Sequence, residues 1–318
     1  MTGVAHLSGF LAGPTVASGD LGASLEFYRD LLGMDVVDDQ TVSAGHVRAS
    51  WGVGLSRAAR LVTLSGGSPG LGQLRLLDVA GMGGEPISDR PSMRNPGPLA
   101  FDFAVADLDA AHRDLSSSGF EFYSPPQDVG NVRICFCLAP DRVMTALIEF
   151  GPDHALRREG RPYVGVINVA QGVECMADDL AFYTGCFGVH TALDYVMQHD
   201  ERGNRLRRAT GQPTGSDFHL VNLASEPGIS GFQGGGTVEL IEPLHVKGPS
   251  VSQRAVPPNR GYFLTSLRVA DVETCLERCH ERRSELLTRL APADELTGAP
   301  HFVVRSPAGA LLEISQAA

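Results

Sequence analysis

Three glutamates recur at matched places near the ends of apolar runs: Glu149 in Ala146-Leu147-Ile148-Glu149, Glu239 after Val238, and Glu313 after Leu312. Two histidines, His219 and His301, stand at the start of other strand-like runs, and Arg268 and Arg305 lie in or close two more. Side chains of a strand alternate between its two faces. If Phe263, Thr265, Leu267 and Val269 face a helix, Leu264, Ser266 and Arg268 share the opposite face. The same alternation sets His301, Val303 and Arg305 against Phe302 and Val304, and Asp217, His219 and Val221 against Phe218 and Leu220. Carboxylate and imidazole suit general acid–base work, with Glu239 or Glu313 taking a proton next to a carbonyl and His219 or His301 relaying it. A guanidinium such as Arg268 would bind the developing oxyanion or a substrate carboxylate.

Other constellations carry less. Cys275, Cys279 and His280 share a helical face, but the two cysteines fit the buried stripe of that helix and no fourth ligand is near in sequence. Gly228 to Gly236 has no Walker lysine and precedes a strand, which argues against a phosphate cradle.

The elements that must position these residues form four units. Residues 20–34 read as a helix with both ends marked, Asp20 as N-cap and Gly33 as stop, with the pair Phe27-Tyr28 inside. About 155 residues later the plan returns in 175–188, with Phe182-Tyr183 and Gly188. Unit one adds strands at 12–17, 47–53, 60–64 and 74–79. Unit two has strict alternation over 99–105, a helix opened by Asp107, and strands at 132–138 and 144–150. Unit three has strands at 163–170, 218–223 and 237–241, with 199–216 read as a loop or irregular hairpin. Unit four has strands at 262–269, 301–305 and 310–315 and a helix from Asp271 to about Arg283. This gives an N-terminal domain over 1–150, a linker over 151–162 carrying Arg157, Arg158 and Arg161, and a C-terminal domain over 163–318.

The chain has 318 residues, 43% of them apolar and 20% charged, which suits a globular protein with well-filled cores. A net charge of -11 without a dense Lys/Arg run argues against nucleic acid and anionic membrane as partners. Met1 to Ala17 lacks a basic n-region and no apolar run reaches the length of a membrane span, so the expected location is cytoplasmic. The six cysteines are read as reduced thiols.

Four such units, with helices like Asp-Leu-x-x-Ser-Leu-x-Phe-Tyr-x-x-Leu-Leu-Gly and closing strands like Leu-Ile-Glu-Phe and Leu-Leu-Glu-Ile, resemble the vicinal oxygen chelate superfamily of glyoxalase I, bleomycin resistance proteins and extradiol dioxygenases. The resemblance implies an α+β fold of four βαβββ modules paired into two cup-shaped domains. It also implies a divalent metal in each working cup, held by His or Glu seven residues before the helix cap and by the Glu of the closing strand. Counting back seven from Asp20, Asp107, Cys175 and Asp271 gives Gly13, Ala100, Asn168 and Leu264, and the closing strands give Arg75, Glu149, Glu239 and Glu313. The imidazoles of an Fe(II) site are missing, which disfavours ring-cleaving oxygenation.

With neighbouring units paired, the C-terminal cup is expected to hold Asn168, His219, Glu239, Ser266, Arg268, His301, Arg305 and Glu313. His219, Glu239, His301 and Glu313 are its candidate catalytic residues, and Asn168, Ser266, Arg268 and Arg305 its candidate substrate contacts. The N-terminal cup would hold Thr15, Arg60, Arg75, Asp102, Arg133, Cys135, Cys137 and Glu149, neutralised by an Arg75 or Arg133 pair with Asp102 or Glu149. No cofactor is expected beyond a weak Mg, Mn or Ca site on Asn168, Glu239 and Glu313. Three roles remain open: a lyase or isomerase acting by acid–base chemistry on a small carbonyl, aromatic or carboxylated metabolite; a sequestering protein of the resistance type; and a structural or interaction protein. The expected partner is a small molecule, and the chain a monomer or homodimer.

Overall fold

The structure, a computed structural model, describes residues 9–66, 72–152, 154, 163–226 and 236–317. Most of the expected 151–162 linker, with Arg157, Arg158 and Arg161, and most of the glycine run over 228–236 lie outside the described residues.

Unit one runs β1 (Leu11–Ser18), α1 (Leu21–Leu25) widening into a π turn over Glu26–Leu31, β2 (Asp35–Val42), α2 (Ala44–Trp51), β3 (Ala59–Ser65) and β4 (Gln73–Asp78). Unit two runs β5 (Gly97–Val105), α3 (Leu108–Ser117), the short β6 (Glu121–Phe122) and β7 (Gln127–Val129), β8 (Val132–Ala139) and β9 (Val143–Phe150). Unit three runs β10 (Tyr163–Gly172), α4 (Met176–Phe187), β11 (His190–Val196), α5 (Glu201–Ala209), β12 (Phe218–Ala224) and β13 (Thr237–Pro243). Unit four runs β14 (Gly261–Val269), α6 (Val272–Glu281), β15 (Glu285–Leu286), β16 (His301–Arg305) and β17 (Leu311–Gln316).

The cap signals act as their chemistry requires. Carboxylates of Asp20, Asp107 and Asp271 accept from the backbone N–H of Ala23, Ala110 and Thr274 at 3.0, 2.8 and 2.9 Å, satisfying donors that a helix start leaves unpaired. Gly33 and Gly188 end their helices at φ 65° and 69°, the left-handed region that glycine reaches without strain. The Phe-Tyr pairs sit buried and edge to face, centroids 4.9 Å apart in Phe27–Tyr28 and 5.4 Å in Phe182–Tyr183.

The four units pair into two sheets as expected, but not as neighbours. One sheet has the order β15-β16-β17-β14-β1-β4-β3-β2 and joins units one and four; the other, β11-β12-β13-β10-β5-β9-β8-β6 with β7 on β8, joins units two and three. We call these the terminal and the central sheet. Halves 1–150 and 163–318 therefore each supply half of both sheets. The first strands make the joints: Thr15 stands opposite Leu264 across β1 and β14, and Asn168 opposite Asp102 across β10 and β5. All four first strands are equivalent, so alternation within a unit carries no information about which unit it will meet.

The convex faces of both sheets share one core with the helices, including Phe27, Tyr28, Phe101, Phe103, Tyr183, Tyr262 and Leu312. Across it the Tyr183 hydroxyl donates to Gln171 at 2.6 Å, and the Gln171 amide donates to Thr265 at 3.2 Å, tying the central sheet to the terminal one. No described helix is long and apolar enough to cross a membrane.

Two expectations of secondary structure fail. Residues 44–51, overlapping an expected strand at 47–53, form α2, with Ser43 accepting from His46 N–H at 3.0 Å and Gly52 at φ 69° closing it. Residues 201–209, inside an expected loop, form α5, with Asp200 accepting from Gly203 N–H at 2.7 Å. Both helices follow the second strand of their unit, and both cover a cup.

Candidate active site in the central cup

The terminal cup is filled. Arg75 on β4 donates to both oxygens of Glu313 on β17 at 3.1 and 3.2 Å, to Thr15 at 2.9 Å, to the Leu296 carbonyl at 3.3 Å and to Ser266. A guanidinium offers five donors and no lone pair, and this one has spent its donors on the protein. Helix α2 lowers Trp51 onto it: the Arg75 guanidinium lies 5.0 Å from the ring centroid, and the indole N–H donates to Glu313 at 2.6 Å. Trp51 is fully buried among Val47, Leu61, Leu77, Phe263 and Val303. His301 is buried near this plug, its Nδ1 2.9 Å from the Thr297 hydroxyl; its Nε2 has no hydrogen-bond partner among the described residues and lies 3.9 Å from Asp294.

The central cup is hollow. Its polar floor runs over three strands, where Asn168 on β10 donates to Asp102 on β5 at 3.0 Å and accepts from Thr237 on β13 at 2.8 Å. One step along the ladder, Ala100, Ala170 and Glu239 stand in a row on β5, β10 and β13. The two alanines have no bulk to fill the space, and a cavity of about 70 Å³, measured by the centres of water-sized spheres, opens above them. Leu99, Val132, Ile134, Phe136, Met144, Ile148, Leu220 and Ile241 wall it, while Asp102 and Glu239 reach it from below. Next to Glu239 in the β12–β13 ladder is Asn222, fully buried, whose amide nitrogen and oxygen have no partner among the described residues.

The two acids sit where ionisation is costly. Burial raises Asp102 to about 7, although the Asn168 hydrogen bond opposes the rise. Burial, with the Asp102 charge adding to it, raises Glu239 to about 8. Such a pair exchanges its protons near neutrality, in steps that belong to the pair rather than to either residue.

The roof is α5 with the β7–β8 hairpin. Arg207 of α5 is 1% exposed and donates to the carbonyls of Ser216, Gln198 and Met197 at 2.6, 2.9 and 3.4 Å and to Asp217 at 3.1 Å, fastening the segments on both sides of the helix. Leu206 and Thr210 face the cavity, and Arg202 stands at its mouth beside Tyr195.

The expected C-terminal set is thus divided. Asn168 and Glu239 meet in the central cup, joined by Asp102, which the sequence reading put in the other cup. Ser266, His301 and Glu313 lie in or beside the filled terminal cup, so Asn168, Glu239 and Glu313 do not converge on one ion. His219 leaves the set: Phe218 and Leu220 pack in the apolar cluster of the central cup, Leu220 lining its cavity, and His219 points outward to Asp194 at 2.7 Å. Arg305 is held outside by Glu285 at 3.1 Å and the Gly309 carbonyl at 3.2 Å, and Arg268 is half-buried opposite Ser315.

The expected N-terminal set divides in the same way. Thr15 and Arg75 enter the terminal cup, Arg60 pairs with Asp39 at 2.6 Å on the surface, and Cys135 and Cys137 face the shared core. Glu149 lies on the convex face, accepting from the α3 amide of Leu108 at 3.2 Å and from Arg133 at 3.1 Å. Met144, Ala146 and Ile148 take the concave face of that strand, so matching Leu-x-Glu by eye slipped the register.

The donor chemistry does not fit the His and Glu metal centre that such a fold implies. Arg75 occupies the terminal cup, the central cup has only oxygen donors, and no group of three His, Cys, Asp or Glu among the described residues is arranged to hold an ion.

Residues 4–147 match the sequence model described as the Glyoxalase/Bleomycin resistance protein/Dioxygenase superfamily. Glyoxalase I from Zea mays is similar in structure, with TM-score 0.64, 16% identity and coverage of 96% of this chain and 92% of that one. A putative dioxygenase from Bacillus subtilis is similar with TM-score 0.60 and 12% identity, covering 98% of this chain and 86% of that one. At these identities the likeness is one of fold. No curated protein matches the chain significantly in sequence.

Proposed function

We propose that this chain, whose residues 4–147 match the glyoxalase/bleomycin resistance protein/dioxygenase model, binds a small, largely apolar carbonyl compound in the central cup and moves a proton next to its carbonyl. The observation that carries the reading is the pair Asp102 and Glu239, two acids of raised pKa facing one apolar cavity. With one proton between them, the ionised member takes a proton from the carbon beside the carbonyl, and the C–H electron pair passes into the enolate. The protonated member donates a hydrogen bond to the enolate oxygen. Return of the proton to the same carbon completes an exchange, or an epimerisation when it arrives on the other face. A neutral acid in a water-poor cup here does what the absent imidazole ligands would otherwise support. Asn168 holds Asp102 in place and is itself held by Thr237.

The test is deuterium uptake from solvent at the carbons beside the carbonyl of 2-heptanone and 6-oxoheptanoate, followed by proton NMR. Catalysed exchange is expected to fall by about 100-fold or more in Glu239→Gln and in Asp102→Asn. Binding of both probes with no exchange above buffer would replace this reading by sequestration.

A further inference from the structure

Helix α5 carries four arginines over the central cup, and three of them have protein partners. Arg205 pairs with Glu201 and with Asp128 at 3.4 Å, Arg207 is the buried fastener, and Arg208 donates to Gln127 at 3.2 Å. Arg202 is different. It is exposed, has no carboxylate partner among the described residues, and lies with its guanidinium 5.2 Å from the centroid of Tyr195. Both side chains line the cavity mouth. Opposite them the turn at Gly130 comes close, since a Cβ there would meet the Arg202 Nε at 3.3 Å. A guanidinium held flat on a ring keeps its N–H edge for a ligand and loses less freedom when it binds one.

Arg202 is the one cationic side chain among the cavity's lining residues, and the acids lie at the other end. The walls between are aliphatic or aromatic. A ligand carboxylate against the floor would meet acidic oxygens, whereas at the mouth it meets an unpaired guanidinium and water. An uncharged carbonyl suits the floor, where a protonated acid can donate to it.

We infer that the substrate of the central cup is a small carboxylate with an apolar body, its acid group paired with Arg202 at the mouth and its carbonyl directed to Asp102 and Glu239. Arg202 is then a specificity residue that also fixes which end enters first. This rests on the reading of the central cup as a ligand site.

The experiment titrates two probes into the intact protein by calorimetry: 6-oxoheptanoate, whose carboxylate and carbonyl are separated by an apolar chain, and 2-heptanone, which replaces that carboxylate with a methyl group. Wild type is expected to bind the keto acid roughly tenfold more tightly than the ketone, the size of one charge-assisted hydrogen-bonded pair. Arg202→Gln is expected to remove that preference by weakening the acid alone, and added salt to reduce it in wild type. Because Arg202 is exposed and holds no element in place, unfolding midpoints of the variant and wild type should coincide. Equal weakening of both probes, no weakening of the acid, or equal affinities in wild type would overturn the inference while leaving the cup a ligand site. Failure of wild type to bind either probe would overturn both. Arg202-dependent selectivity without deuterium exchange supports the inference and removes only the proton-transfer reading.

Discussion

In the terminal cup a helix from unit one sets Trp51 down on Arg75, whereas in the central cup the corresponding helix from unit three spans a hollow. Each helix follows the second strand of its unit, and each cup places an acid from a closing strand on its concave face, Glu313 in one and Glu239 in the other. The difference lies in what each acid meets. Glu313 meets a bidentate guanidinium and an indole N–H, and its charge is neutralised where it stands. Glu239 has no cation beside it among the described residues; it faces the same cavity as Asp102, whose charge adds to burial in holding its pKa up. A single cation, Arg75, separates a cup that serves as core from one that can serve as a site.

The contrast can be broken from either side. Removing the cation by Arg75→Ala strands Glu313 in the interior and should cost about 3–5 kcal/mol in urea unfolding, with no change in probe affinity at the central cup. Replacing both partners, Arg75→Met with Glu313→Leu, should restore most of that loss, because the pair's worth is small beside the penalty of an orphaned charge. Trp51→Ala should cost a similar amount through the cavity it leaves.

The central acids predict a pH dependence of the opposite kind to ordinary acid denaturation. Their folded values, about 7 and about 8, lie above the usual carboxylate range, so the folded state holds more protons than the unfolded one between these limits. Stability should therefore be fullest below about pH 4 for this term and decline as pH rises to 8, by a few kcal/mol in all. Asp102→Asn with Glu239→Gln should flatten the decline in thermal unfolding curves. A decline unchanged by that double substitution would remove the proton-sharing pair from the account.

Smaller effects sharpen the picture. Ala170→Leu should extend into the hollow, abolishing probe binding in calorimetry while changing stability by about 1 kcal/mol or less. His46→Ala breaks a half-exposed 3.0 Å contact with Asp294 at the edge of the terminal plug and should shift stability by less than about 1 kcal/mol.

The local signals in the sequence were strong where one residue type has one job. Asp20, Asp107 and Asp271 cap helices, Gly33 and Gly188 end them, and alternation over 99–105 marks a strand; the structure agrees with each. Helix α5 was hidden because Glu201 to Ala209 carries no apolar stripe: its buried residues are Gly203, Arg207 and Ala209, Leu206 alone adds a large apolar side chain, and a buried arginine looks like surface in a sequence. Helix α2 was readable from Ser43, Gly52 and the four-residue spacing of Val47 and Trp51, but the valines flanking it also suit a strand. The site failed for a different reason. Asp102 and Glu239 lie 137 residues apart in units whose partnership is decided between first strands, and only that pairing brings them to one cavity. His219 falls on the other face because Phe218 and Leu220 pack in the cluster of the central cup instead of the shared core.

The pairing of the first unit with the last and the second with the third has a temporal meaning. The chain is arranged as one bracket enclosed in another, and all strands of the central sheet lie within residues 97–243. During synthesis that stretch emerges from the ribosome before β14 does, so the central sheet can close while unit one still waits for its partner. The Arg75–Glu313 contact between the first and fourth units can be made only later, when β17 arrives.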